Sequence, residues 1–365
     1  VADRIRVGVI GTSWWVDLAH LPGLGARGDV EVAALCGRDP AKLGALAAKF
    51  GVPATYTDWR ALLAHPGLRA VVIATPNVLH PEQARAALDA GLGVVCEKPL
   101  ALAAADARAV AARARTAGLA GMTFFTHRTV GAAAQVKRLV ARGFLGRPLH
   151  ASAQYLTSSQ LKPGKPFSWK MNRAESGSGA LGDIGSHLVD MVRWFLDDGY
   201  AAVVGQWQTL PVARAGGTAD ADDDCSFLAR MTSGVQAVFQ FTKLAPGYGN
   251  LQRVELHGTE GTLVYEADPG GDPTWEGRVL AGRGLAGGVT PVPLDADLVA
   301  GLAGVPEPAS RAEAYRRLTD PFFQAVAGRA PAAAVTPSLE DGAAVQAVLD
   351  AVAASVERGA WVEVA

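Results

Sequence analysis

Three segments of this 365-residue chain carry side chains whose types and spacing suit the handling of protons and charge. The first is Cys96-Glu97-Lys98-Pro99, where a lysine follows the short apolar run Gly93–Glu97. Lysine is rarely buried without a partner, so packing explains Lys98 poorly, and an ammonium there would stabilise negative charge developing on an oxygen. The second runs Gly177-Ser178-Gly179-Ala180-Leu181-Gly182-Asp183-Ile184-Gly185-Ser186-His187. Asp183 and His187 are four residues apart and share a face if the segment is helical, and Asp190 continues that face. The glycines permit close approach of a ligand, and an imidazole with an unperturbed pKa of about 6.5 suits acid–base work. By itself Asp-x-x-x-His also fits a plain helix start capped by a carboxylate.

The third segment is Gly8-Val9-Ile10-Gly11-Thr12-Ser13-Trp14-Trp15-Val16. A glycine-rich turn between a first strand and a first helix is where backbone N–H groups meet a dinucleotide pyrophosphate. Set against G-x-G-x-x-G the segment reads Gly11, Ser13 and Val16, so only the first glycine is kept. Ser13 still allows close approach and adds a hydroxyl, whereas Trp14 and Trp15 are bulky and either pack in the core or line the ligand pocket. At the end of the second strand, Gly37-Arg38 stands where an acid would bind a ribose 2′-hydroxyl. A guanidinium suits a 2′-phosphate, which favours NADP over NAD. Asp39-Pro40 reads as a helix cap. The fourth strand ends in Thr75-Pro76-Asn77, with His80 just beyond.

These residues need a frame. Ile5–Ile10, Val30–Cys36, Ala70–Ala74, Gly93–Glu97 and Met122–Phe125 are short apolar runs, separated by helix-like stretches at 41–50, 59–64, 81–90 and 104–117. That alternation predicts a doubly wound α/β domain with a parallel sheet, and ligands bind at the carboxyl ends of such strands. Beyond Phe125 the texture changes. Helices are expected at 132–142, 181–196, 309–328 and 338–357, with strands at 148–156, over most of 197–295 and at 361–364. Cys225, Phe227, Ala229 and Met231, then Val235, Ala237, Phe239 and Phe241, alternate with mostly polar neighbours. Period-2 patterning predicts an antiparallel sheet.

Taken together the motifs resemble the glucose-fructose oxidoreductase / inositol dehydrogenase / rhizopine-catabolism (Gfo/Idh/MocA) family. The resemblance rests on the Gly8–Ser13 turn, Thr75-Pro76-Asn77 with His80, Glu97-Lys98-Pro99, and Gly179-x-x-x-Asp183-x-Gly185-x-His187, and extends through Phe125–Arg128 and Leu256–Gly261. It implies a Rossmann domain over 1–124 and, over 125–365, an α/β domain on a large open, mostly antiparallel sheet that binds substrate and forms homodimers or homotetramers. It also implies hydride transfer between NAD(P) and a secondary alcohol or carbonyl of a sugar, polyol or related compound. Lys98, Asp183 and His187 would be catalytic. Gly11, Thr12, Ser13, Trp14, Trp15, Gly37, Arg38, Thr75, Pro76, Asn77, His80, Glu97, Lys98 and Arg128 would hold the cofactor. Trp169 and Lys170 would meet the substrate alongside Lys98, Asp183 and His187.

Composition narrows the field. A formal net charge of −1 gives no bulk attraction to nucleic acid or anionic membrane. No apolar stretch reaches the roughly 18–20 residues of a membrane span, and residues 1–9 read as a strand rather than a secretory leader. Cys36, Cys96 and Cys225 are far apart, which fits a reducing, cytoplasmic setting. No metal is expected. The acidic run Asp220-Ala221-Asp222-Asp223-Asp224 lacks the glycine and distal glutamate of an EF-hand loop and reads as a solvated hairpin. His20 is expected to touch the cofactor or cap the first helix. Two other functions remain open: a dinucleotide-binding sensor without turnover, which the worn fingerprint favours, and a reductase of a non-sugar carbonyl or conjugated substrate.

Overall fold

The structure, a computed structural model, describes residues 4–162, 164–210, 213–268 and 275–365, so the first three residues of the stretch read as the opening strand lie outside it. The chain divides into two compact units, residues 1–126 with 305–343 and residues 127–304 with 344–365.

The first unit is built on β1 (Ile5–Ile10), β2 (Val30–Cys36), β3 (Ala54–Tyr56), β4 (Ala70–Ile73), β5 (Gly93–Cys96) and β6 (Gly121–Thr123). They form one parallel sheet in the order β3-β2-β1-β4-β5-β6. The order reverses between β1 and β4, the switch point at which such sheets bind ligands. Val7, Val9, Val71 and Val94 are fully buried, as continuous apolar runs require when helices cover both faces. The helix Pro40–Phe50 starts where Asp39 accepts the N–H groups of Ala41 and Lys42, the expected cap. β3 escapes sequence reading because three residues carry no period.

The expected boundary at 124/125 needs correcting at the far end of the chain. Residues 305–343 belong with the first unit because the helix Ala309–Val326 places Tyr315, Leu318, Phe322 and Phe323 in its core, beside Met122 and Phe124. Burying each phenylalanine is worth roughly 1.5–3 kcal/mol. Gly23 makes room for this helix: a Cβ there would lie 2.2 Å from the Tyr315 ring.

The second unit contains β7 (Pro148–Leu156), β8 (Tyr200–Gln208), β9 (Ala213–Arg214), β10 (Gly217–Thr218), β11 (Asp224–Met231), β12 (Gln236–Thr242), β13 (Leu251–Gly258), β14 (Gly261–Ala267), β15 (Arg278–Arg283), β16 (Thr290–Val292) and β17 (Val362–Glu363). Apart from the β9–β10 hairpin they make one sheet in the order β16-β15-β14-β13-β7-β12-β11-β8-β17, antiparallel except for the β12–β7 pair. The alternation holds: Cys225, Phe227, Ala229 and Met231 and their partners Ala237, Phe239 and Phe241 are buried, while Leu228 and Val238 face outward. Phe227 and Phe239 stack with ring centroids 4.4 Å apart. The segment read as one helix over 181–196 is a π-helical turn, Leu181–Gly185, running into the α-helix Ser186–Leu196. Gly185 lets that turn lie on the sheet, since a Cβ would meet the Phe241 ring at 2.3 Å. Among the described residues no helix is long and apolar enough to cross a membrane.

Candidate functional site

In the first unit the parallel strands bring the carboxyl ends of β1, β2, β4 and β5 to one edge, and with them Gly11–Trp15, Gly37–Arg38, Thr75–Asn77 and Glu97–Lys98. Gly11 has φ +132°, and a Cβ there would stand 2.4 Å from the Ala74 carbonyl oxygen. Gly37 is equally constrained, with the Thr12 methyl 2.3 Å from where its Cβ would be. The turn after β1 can therefore sit flush against the end of β2. Ser13 Oγ accepts the N–H of Val16, and Val16 is fully buried. Arg38 is exposed, and among the described residues it has no carboxylate partner. An N–H-lined turn at a helix start, cut close by glycine and flanked by an unpaired guanidinium, fits the anionic half of a dinucleotide.

Glu97 and the residues around it form a tight polar knot. Trp15 Nε1 donates to Glu97 Oε1 at 2.8 Å, His20 Nε2 lies 2.9 Å from the same oxygen, and the Lys98 N–H donates to Oε2 at 3.2 Å. Burial pushes the Glu97 carboxyl up, but the His20 hydrogen bond and the nearby charges outweigh it and leave the group below the ordinary value. His20 is fully buried, with its other ring nitrogen 3.3 Å from Tyr315 Oη, so it neither caps the helix nor faces a ligand. Of the two tryptophans, Trp15 joins this knot and Trp14 is 65% exposed. His80 is also fully buried, its ring nitrogens 2.8 Å from the Pro99 carbonyl and 2.9 Å from that of Thr75. Burial lowers its pKa despite both carbonyls, and a neutral ring donates to only one of them. His80 and Glu97 thus brace the loops bearing Thr75 and Lys98.

In the second unit the focus is Asp183. Lys170 Nζ donates to Oδ1 at 2.9 Å, and Lys243 Nζ lies 3.1 Å from Oδ2. Lys170 comes from the short turn Trp169–Met171, with its ammonium 5.9 Å from the Trp169 ring centre. Asp222 fixes the turn that carries Asp183: its carboxylate accepts the N–H groups of Gly179 at 2.5 Å and Leu181 at 2.8 Å. Burial pushes the Asp222 carboxyl up against those hydrogen bonds. The acidic run is therefore not a solvated hairpin. Asp222 and Asp223 are buried, Asp223 accepting the Leu210 N–H and Asp220 that of Arg173, because unmet backbone donors recruit these carboxylates inward.

His187 is buried, and its ring meets that of His127 edge-on at 4.1 Å; His127 in turn stands 6.0 Å from the Tyr155 ring. Arg128, the neighbour expected to reach the cofactor, turns inward. Its Nε donates to Asp190 Oδ2 at 2.7 Å and a terminal nitrogen to Oδ1 at 2.5 Å, both side chains being buried. That pair pins the helix of His187. Sequence reading passed over Lys243 and Tyr155, took Asp222 only as part of a solvated hairpin, and reached His127 only through its place beside Arg128. Lys243 had a visible signal: it is the next inward position after Ala237, Phe239 and Phe241. Among the described residues no group of three His, Cys, Asp or Glu is arranged to hold a metal ion.

Two family profiles match the chain, one described as an oxidoreductase family with an NAD-binding Rossmann fold over residues 5–125 and the other as the GFO/IDH/MocA C-terminal domain over residues 133–264. The levoglucosan dehydrogenase of Pseudarthrobacter phenanthrenivorans is 30% identical over 348 residues, covering 87% of this chain and 85% of that protein. A D-xylose 1-dehydrogenase (NADP+) of Haloferax volcanii is 31% identical over 363 residues, 98% of each chain. Among solved structures, a levoglucosan dehydrogenase in complex with NADH and levoglucosan superposes with a TM-score of 0.88 at 28% identity, covering 99% of this chain and 100% of that one.

Proposed function

This chain belongs to the GFO/IDH/MocA family of NAD-binding oxidoreductases, and from that premise we propose that it is a cytoplasmic dehydrogenase that interconverts a secondary alcohol and a ketone on a sugar or polyol, with NADP as the preferred cofactor and NAD as the alternative. The observation that carries the reading is the gathering of a glycine turn, Arg38, Thr75–Asn77 and Lys98 along the carboxyl edge of one parallel sheet. Cys36, Cys96 and Cys225 are free and buried, in keeping with a reducing compartment.

When bound, the nicotinamide supplies the hydride acceptor or donor. This chain's residues do the rest. The turn at Gly11–Ser13 holds the pyrophosphate, and Arg38 meets a 2′-phosphate. The Lys98 ammonium stabilises negative charge on the reacting oxygen. The His187 imidazole takes the hydroxyl proton in oxidation and returns it in reduction. Asp183 accepts a hydrogen bond from the substrate or from His187, and Trp169 offers an apolar face to a sugar ring. Arg128 serves through its pair with Asp190. The outward face of the sheet, with Leu228 and Val238, joins copies of the chain.

Titration with NADPH and NADH tests the cofactor half. Arg38→Ala is expected to weaken NADPH at least tenfold and to leave NADH within about twofold. Oxidation of levoglucosan and D-xylose by the intact chain tests the substrate class. Failure of both nucleotides to bind at millimolar concentration would overturn the proposal.

A further inference from the structure

Lys243 has no part in the chemistry just assigned, yet it is the most confined cation near it. Its side chain is 4% exposed, at the carboxyl end of β12, with the ammonium 3.1 Å from Asp183 Oδ2. A buried ammonium is tolerated only beside an anion, and removing its partner costs more than the pair gains. Lys170, which holds the other oxygen, is 37% exposed, so water and salt compete with it. Among the described residues, the charged or titratable groups facing this cluster include Tyr155 on β7, whose hydroxyl burial pushes up with help from Asp268 and Asp183, and Asp222, whose carboxylate feels Lys243. The backbone is held as well. Asp222 ties down the N–H groups of Gly179 and Leu181, and the Asp183 N–H donates to the Gly179 carbonyl at 2.9 Å. The carboxylate is thus fixed by its own turn on one side and by a dry cation on the other.

We propose that Lys243 is a positioning residue of the sugar oxidation: its ammonium keeps Asp183 ionised and oriented, so that Asp183 works as a fixed hydrogen-bond acceptor and carries no proton during turnover. The inference rests on the assignment of Asp183 to the reaction made above.

The test uses the full chain with Lys243→Met and Lys243→Arg, following kcat and KM for levoglucosan and D-xylose against pH. Lys243→Met is expected to lower kcat/KM at least tenfold at pH 7 and to move the acid limb of its pH profile upward by about one unit, because a carboxylate without its cation protonates more readily. NADPH binding should stay within twofold. Lys243→Arg should recover most of the activity and the original acid limb. An unshifted profile with activity within twofold of wild type overturns the proposal, as does a loss that Lys243→Arg shares in full. A second arm needs no substrate: the melting temperatures of Asp183→Asn, Lys243→Met and the double variant. If the residues hold one another, the double variant melts above the sum of the two single losses; strictly additive losses overturn the proposal. Should the wild type oxidise neither sugar, the functional reading fails while the melting series still decides whether Lys243 holds Asp183.

Discussion

Lys98 and Glu97 divide two tasks between adjacent positions. The carboxylate is engaged by Trp15, His20 and the Lys98 N–H, so it shapes the backbone from which the lysine side chain projects. Lys98→Met should lower kcat by about 10²-fold or more while shifting NADPH affinity by less than tenfold, a split that steady-state kinetics and titration would reveal. His187→Asn should cost about 10²–10⁴-fold in kcat and abolish the limb of the pH profile that the imidazole supplies. Glu97 adds a pH-dependent stability. Its folded pKa lies below the ordinary 4.5, so its stabilisation is complete above that value and is lost as pH falls through the folded pKa. Denaturation of wild type and Glu97→Gln should therefore differ by about 1–3 kcal/mol at pH 7, and the difference should shrink as pH falls below 4.5 through the folded pKa.

At the scale of elements, the π turn at Leu181–Gly185 shows what sequence reading reached and where it stopped. The glycines announced close approach, and Gly185 against Phe241 and Gly179 against Asp222 make it. The Asp183–His187 spacing, however, was read on a 3.6-residue helix. An inserted π turn breaks that geometry, and no residue type marks it. The strands were legible because period-2 alternation survives from Cys225 to Phe241. Carried one step further, the same alternation points Tyr155, Asp223 and Lys243 inward at the strand ends, where a polar residue in an apolar row needs a polar partner: Asn250 for Tyr155, the Leu210 N–H for Asp223 and Asp183 for Lys243. The acidic run was misread for a related reason: unmet N–H groups at Gly179 and Leu181 lie some forty residues away, and only the fold shows that they need Asp222. Gly179→Ala tests this local fit. A Cβ would fall 1.8 Å from the Asp222 carbonyl oxygen, so the turn must move. Thermal and chemical melts should show a loss of about 2–4 kcal/mol, with activity falling further than stability alone explains.

The whole molecule adds what no single strand or turn contains. The first unit is completed by residues 305–343, so a chain ending at residue 126 would leave the apolar surface around Met122 and Phe124 without Tyr315, Phe322 and Phe323. Such a fragment should melt without cooperativity and bind a hydrophobic dye. The second unit raises the opposite matter, a surface exposed in the single chain. β11 and β12 are central strands whose outward row sets Leu228 opposite Val238, 47% and 40% exposed, with Ser226 and Gln240 beside them and Ser152 next along on β7. A broad sheet face with apolar side chains in cross-strand register is suited to burial against an identical face, because a two-fold axis repeats the same row on both partners. If this face joins the copies, Leu228→Arg with Val238→Arg would bury four like charges per dimer. Light scattering should then report the monomer mass for this variant and is expected to report a dimer or larger for the wild type. The substitutions point away from the core, so the melting transition should stay cooperative. An unchanged mass would remove the sheet face from the assembly and direct the search to another surface.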